Sequence, residues 1–293
     1  MYARIGPVLR LRVGGALETQ LLVVSDPPHR EVDHEATAET LRLSLDDTRK
    51  KIAFPAPEVL AASDMDHATE IAASLGGAGV TVRIIDAQEL VGIPWPAPVS
   101  WFEFGDGRLI ARFQDYEVEL PFDSVVSGVY CKPPPGFSAG GPSKAAAPAL
   151  GLGNNGVGVA EAIQWMANLD LYSDSGGEIQ RISIVQDVAD FSGLGDKAGP
   201  SATESMAATV RECERLFTRM TLDTRLETVR PRHRFIMGAD DFDLDMRKLF
   251  SFGTLLLRQV LASVSPELGD LTQYELGSRL GYVLSRQGSR DRE

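Results

Sequence analysis

Leu21 to Val24 form a short apolar run closed by Ser25-Asp26-Pro27-Pro28, where proline fixes φ and removes a backbone donor, so the pattern predicts a strand and its exit turn. Residues 33 to 52 then alternate apolar and charged positions at helical spacing. Asp33 is the expected cap of the first of two short helices, and the SLDD at Ser44 to Asp47 the cap of the second. Glu58 to Ala62 predicts a second strand. Ser63, with Asp66 three positions on, is the expected start of a helix whose apolar face is Ala68, Ile71, Ala72 and Leu75, and Gly76, Gly77 and Gly79 end it. Val80, Val82 and Ile84 alternate with Thr81, Arg83 and Ile85 in a third strand. The whole unit reads β-α-α-β-α-β. Two strands around Gly105-Asp106-Gly107 follow, then strands within YEVELPF, from Tyr116, and SVVSGVYC, from Ser124.

The later half repeats neither the order nor the spacing. ANLDLYSD and EIQRISIVQDVADF, on either side of Ser175-Gly176-Gly177, predict a hairpin. Ser201 and Glu204 have capping-box spacing, and Met206, Val210, Cys213, Phe217 and Met220 continue as one helical stripe, on which Cys213 is a core thiol. TRLETVRPRHRFIM, from Thr224, is strand-like, residues 246 to 264 carry helical periodicity, and Thr272 with Glu275 caps a final helix. In that helix Gly277 and Gly281 are four apart, which lets another element approach closely, and the tail GSRDRE is expected to fray.

Between the halves, 17 of the 26 residues from Pro133 to Gly158 are Pro, Gly or Ala, and none of the run is periodic. It is the expected linker in an α+β protein of two domains, 1–132 and 159–293, a division that suits a chain of 293 residues. Acidic residues outnumber basic ones 41 to 29, for a net charge of −12, and both halves are acidic, which argues against nucleic acid as a partner. Only two cysteines occur, Cys131 and Cys213, so a disulfide framework is not expected and a reducing cytoplasm is. No apolar run reaches the length of a membrane span or of a signal peptide, and no Cys/His spacing for zinc occurs.

LSLDDTRKKI, PEVLAAS and a helix ending LGGAGVTVRIID, within Leu21 to Asp86, give a unit that resembles the C-terminal domain of the ribosomal stalk protein and the ClpS adaptor of bacterial proteolysis. In the ClpS adaptor an Asn-Asp-containing loop after the first strand helps to read a substrate's N-terminus, and Ser25-Asp26-Pro27-Pro28 stands here instead, so degron recognition is not carried over. The resemblance implies a small α/β docking unit.

Two strings in the Pro/Gly/Ala run imitate catalytic motifs. Gly136-Phe137-Ser138-Ala139-Gly140 matches a nucleophile elbow, but three prolines precede it where a strand is required, and the one downstream histidine, His233, is followed rather than preceded by the aspartates at 240, 241 and 243. Gly151-Leu152-Gly153-Asn154-Asn155-Gly156 matches a dinucleotide fingerprint, but Pro148 disfavours the strand that must lead into it. His29, Glu31, Asp33, His34 and Glu35 crowd one loop-to-helix transition without the spacing of a zinc site. Asp241, Asp243 and Asp245 hold the first, third and fifth places of a calcium loop that lacks its glycine and its final glutamate. Neither a cofactor nor a metal is therefore expected. Arg230, Arg232 and Arg234 lie two apart, so a strand puts them on one face beside His233, with Arg225 nearby and Pro231 favouring a sheet edge. They are the candidate binding residues, for carboxylate or phosphate groups, unless internal aspartates neutralise them.

These readings converge on a non-enzymatic adaptor or regulatory protein that docks an acidic protein partner. The alternatives are an enzyme acting on a small anionic substrate around His233 and the three arginines, or a structural subunit of a larger assembly, homo-oligomers included.

Overall fold

The computed structural model describes residues 21–132, 167–175, 178–228 and 273–290 of the chain. Its α+β fold contains three sheets. The first is the expected β-α-α-β-α-β unit: β1 (Leu21–Ser25), α1 (His34–Leu41), α2 (Leu45–Ile52), β2 (Glu58–Ser63), α3 (Met65–Gly77) and β3 (Val82–Asp86). The strand order is β2-β1-β3, with β1 antiparallel to both neighbours. Asp33 caps α1 by accepting from the amides of Glu35 and Ala36, and Ser44 caps α2 by accepting from that of Asp47. For α3 the cap is Asp64, which accepts from the His67 amide, rather than the expected Ser63, which ends β2.

Both faces of this small sheet are covered. Leu21 and Val23 pack with Ala68, Leu75 and Val80 beneath the helices, whereas Leu22 and Val24 turn the other way, into a core shared with distant parts of the chain. A strand's two-residue period thus serves two cores at once.

After α4 (Ala87–Val91) and the short β4 (Ala97–Pro98), β5 (Trp101–Gly105), β6 (Arg108–Arg112) and β7 (Glu117–Pro121) form an antiparallel meander. Its first turn has positive φ at Asp106 and Gly107, as a two-residue hairpin requires. β8 (Val125–Cys131), β9 (Asn168–Ser175), β10 (Glu178–Val185) and β11 (Thr221–Asp223) complete a five-stranded sheet of order β11-β8-β9-β10-β4. β9 and β10 pair as the expected hairpin, with Ser175 opposite Glu178.

The linker itself lies outside the described residues, but the strands on either side of it are sheet neighbours: β8 pairs antiparallel with β9 from Val125 opposite Ser173 to Cys131 opposite Asn168. The division of the sequence at 133–158 is therefore no division of the sheet, which takes β4 and β8 from one side and β9, β10 and β11 from the other. Backbone pairing and apolar burial cross that point, which composition does not register.

One face of this sheet packs on the β5–β7 meander and on α5 (Ala202–Leu216), through Leu169, Leu171, Ile182 and Ile184 against Phe102, Leu109, Met206 and Phe217. Ser201 caps α5 in the expected capping box, and Cys213 is fully buried on its stripe, where burial pushes the thiol pKa well above its usual value. The other face receives α6 (Gln273–Arg290) together with the second side of the small sheet. Residues 225–228, expected within a strand, form instead a 3-10 turn in which Arg225 holds Asp223 at 2.7 Å and Asp26 at 2.6 Å. The expected helix over 246–264 lies outside the described residues. α6 continues to Arg290, so the tail expected to fray from Gly288 begins inside the helix.

The two glycines of α6 do permit a close approach. A Cβ on Gly277 would stand 3.1 Å from Leu226 Cδ2, and one on Gly281 would stand 3.1 Å from Asp223 Oδ2 and 3.2 Å from Val129 Cγ2. Gly281→Leu has no room for its branched side chain without moving the helix off β8. It is expected to lower unfolding free energy by about 1–3 kcal/mol in urea titrations, while Gly288→Ala, whose Cβ would meet nothing within 4 Å, leaves it nearly unchanged or slightly raised.

Candidate functional site

Two places in the described structure depart from an ordinary apolar interior or an ordinary solvated surface. One is enclosed and the other open.

The enclosed one lies between β9, β10, α4 and α6. Period-two alternation turns Asp170 and Tyr172 of β9, and Arg181 and Ser183 of β10, toward α6, while Leu169, Leu171, Ile182 and Ile184 face the opposite core. Arg181 forks onto Glu275 with contacts of 2.5 and 2.8 Å and reaches Asp170 at 2.7 Å, all three side chains at 0% exposure. Arg279, one helical turn after Glu275, donates to it at 2.6 Å and to the Leu90 carbonyl at 2.6 Å. Tyr274 and Ser278 each donate to Asp170 Oδ2 at 2.6 Å, and the Tyr172 hydroxyl lies 2.6 Å from Ser278 Oγ. Burial alone would weaken Arg181 as a cation, but Asp170, Tyr172 and Glu275 raise its pKa well above the usual value. Burial likewise opposes ionisation of Asp170, yet Arg181 and the hydroxyls of Ser278 and Tyr274 hold its pKa below the ordinary carboxylate range.

Two carboxylates thus meet two guanidiniums in a buried place, where the cluster fixes the position of α6 on the sheet. Sequence reasoning missed it, because Asp170 and Glu275 are 105 positions apart and each is unremarkable in its own segment. The available signal was the charged Arg181 and Asp170 at inward positions of otherwise apolar strands.

The open place is a groove of about 700 Å³ along β3. Ala72 and Gly76 of α3 form one wall, Gly79 to Ile84 the floor, and Arg30 and Gln287 of α6 the rim. β3 is an edge strand: among the described residues no strand pairs with its outer side. In this chain of net charge −12, the described lining of the groove includes two arginines, Arg30 and Arg83, and no acidic residue. Arg225 and Arg83 both pair with Asp26, at 2.6 and 3.9 Å, and the Arg83 side chain is half exposed beside the groove.

The loop from Pro27 to Val32 is tied to β3's approach. The Arg30 amide donates to the Gly79 carbonyl at 3.1 Å, Thr81 Oγ1 donates to the Pro28 carbonyl at 2.9 Å, and His29 Nδ1 accepts from the Thr81 amide at 3.2 Å. Of the crowded acidic and histidine residues, Asp33 serves as a helix cap and His29 as this acceptor. Among the described residues, no three His, Cys, Asp or Glu side chains come together as a metal ion would need. Arg230, Arg232, His233 and Arg234, the candidate binding residues, lie outside the described residues, as do the two motif look-alikes and the aspartates at 240 to 245. Arg225, grouped with those arginines by sequence, is internally paired with Asp223 and Asp26.

No helix among the described residues is long and apolar enough to cross a membrane. No protein-family model, no curated protein and no solved structure matches this chain.

Removing one member of the enclosed cluster strands its partner's charge in a dry core. Arg181→Met and Glu275→Gln are each expected to lower stability by about 3–5 kcal/mol, read from urea midpoints, whereas Arg112→Met, whose partner Glu117 is solvated, should cost under about 1 kcal/mol. His29 supplies a pH dependence. Burial lowers its pKa below the ordinary 6.5, outweighing the opposing pull of Asp26, so the unfolded chain binds the proton more readily than the folded one. Stability contributed by neutral His29 is complete above about 6.5 and is lost as pH falls below it. Between roughly pH 7.5 and 5 the thermal midpoint should drop more in the wild type than in His29→Asn, whose Oδ1 takes the place of Nδ1 as the acceptor from Thr81 and does not titrate.

Proposed function

We propose that this chain is a non-enzymatic adaptor whose N-terminal β-α-α-β-α-β unit docks an acidic segment of a partner protein in the groove along β3. The observation that carries the reading is the charge of that groove. Between Leu21 and Asp86 the sequence has twelve acidic residues and six basic ones, yet two of the six basic residues, Arg30 and Arg83, line the groove and no acidic residue in its described lining does. An acidic protein gains from such a patch by repelling anionic partners elsewhere and attracting them here. The order of elements adds support, since it resembles that of the stalk-protein and ClpS-type docking units. The charges of the enclosed polar cluster are all spent on one another, which favours a structural role for it. Two buried, unbonded cysteines, Cys131 and Cys213, fit a reducing compartment, and we place the protein in the cytoplasm.

The test uses the full chain and the double variant Arg30→Glu, Arg83→Glu as bait in affinity capture from native cells, with thermal midpoints measured in parallel. An acidic protein retained stoichiometrically by the wild type, and lost with the double variant while its midpoint stays within about 2 °C, supports the reading. Equal retention by both baits sinks it, as does a retained partner whose binding is insensitive to salt.

A further inference from the structure

We infer that the partner's segment binds as an added β-strand on the outer edge of β3, with alternating apolar and acidic side chains. This rests on the adaptor reading above and specifies its chemistry.

The backbone supplies the first step. The Asp26 amide donates to the Thr81 carbonyl at 2.9 Å, and this pair continues the β1–β3 register, in which Ser25 lies opposite Val82 and Val24 opposite Arg83. Hydrogen-bonded and non-bonded pairs alternate along an antiparallel ladder. Arg83 and Ile85 therefore turn their amide and carbonyl groups to β1, as Thr81 turns its carbonyl. Val82 and Ile84 turn theirs outward, into the groove. An edge with outward donors and acceptors at alternate residues is a template for one more strand.

The side chains supply the second. Val82 and Ile84 lie on the helical side of the sheet, packed against the core beneath α3, where the small Ala72 and Gly76 leave space in the groove wall. Arg83 points to the opposite side, toward the rim that Gln287 completes. A strand laid along β3 places its alternate side chains on these two sides. Those beside Val82 and Ile84 enter the apolar side, and those beside Arg83 meet a guanidinium, with Arg30 at the strand's end. Cross-strand neighbours of opposite charge and of apolar type favour this match, and lysine at the acidic positions opposes it.

The probe is a short capped peptide of alternating valine and glutamate, added to the full-length protein, with amide hydrogen exchange and binding isotherms as readouts. Slowed exchange at the Val82 and Ile84 amides is expected, with about tenfold weaker binding to the Arg30→Glu, Arg83→Glu variant and to a valine–lysine peptide. Backbone N-methylation supplies the decisive comparison. Methylating one alternate set of residues should abolish binding, and methylating the other should leave it intact, because only one set presents its N–H groups to β3. Binding that depends on Arg30 and Arg83, with no protection of Val82 and Ile84 and equal affinity for both methylated peptides, overturns strand addition while leaving acidic docking in place. Binding that ignores the arginine substitutions overturns both.

Discussion

Arg181 is held on both sides by carboxylates in a place where water does not reach, and the arrangement of the second half of the chain follows from satisfying it. Its two partners come from different elements, Asp170 from the neighbouring strand β9 and Glu275 from α6, so the guanidinium can be neutralised only when the helix lies in one position on the sheet. Arg279 then ties the same helix to the Leu90 carbonyl at the end of α4, and the stacked rings of Tyr172 and Tyr282, 4.5 Å between centroids, close the apolar surroundings. A core of leucines alone would hold α6 with comparable strength but would tolerate its sliding. An ionic fork with a directional requirement from each side does not.

The position of α6 matters beyond its own packing. It covers the face of the five-stranded sheet that carries Val129 and Tyr172, shares a core with Leu22 and Val24 of the small sheet, and brings Gln287 to the rim of the β3 groove. The enclosed cluster and the open groove thus lie on one continuous path of packed residues. The fixed element is a helix from the end of the chain, and the surface it helps to shape is formed by the beginning.

What could be read from sequence divides along a physical line. Features decided within a few residues were legible: the apolar run of β1, the caps at Asp33, Ser44 and Ser201, the Asp106-Gly107 turn and the stripe that buries Cys213. Each depends on local backbone geometry or one period of exposure. Features decided by contacts between distant segments were not. The composition of residues 133–158 says nothing of the backbone groups on either side, which pair β8 with β9 across it. The Asp170–Arg181–Glu275 cluster needs three segments to be brought together before any of its charges has a partner. The groove, likewise, is not a motif. It is the edge strand that remains when β1 has used one side of β3, and its charge emerges only once Arg30, contributed by a loop far from β3 in sequence, is placed beside Arg83.

The adjacency of β8 and β9 bears on how this chain comes to exist as a folded object. Cys131 lies opposite Asn168, and the entropic cost of bringing two such positions together rises only slowly with their separation along the chain. Neither side can complete the central sheet alone: a polypeptide ending at residue 132 would expose the full edge of β8, and one beginning at 167 would expose that of β9. The two stretches that composition marks as separable are therefore complementary fragments of one fold. Strands from both sides of residues 133–158 thus belong to one sheet, and the covalent chain makes their pairing an intramolecular event.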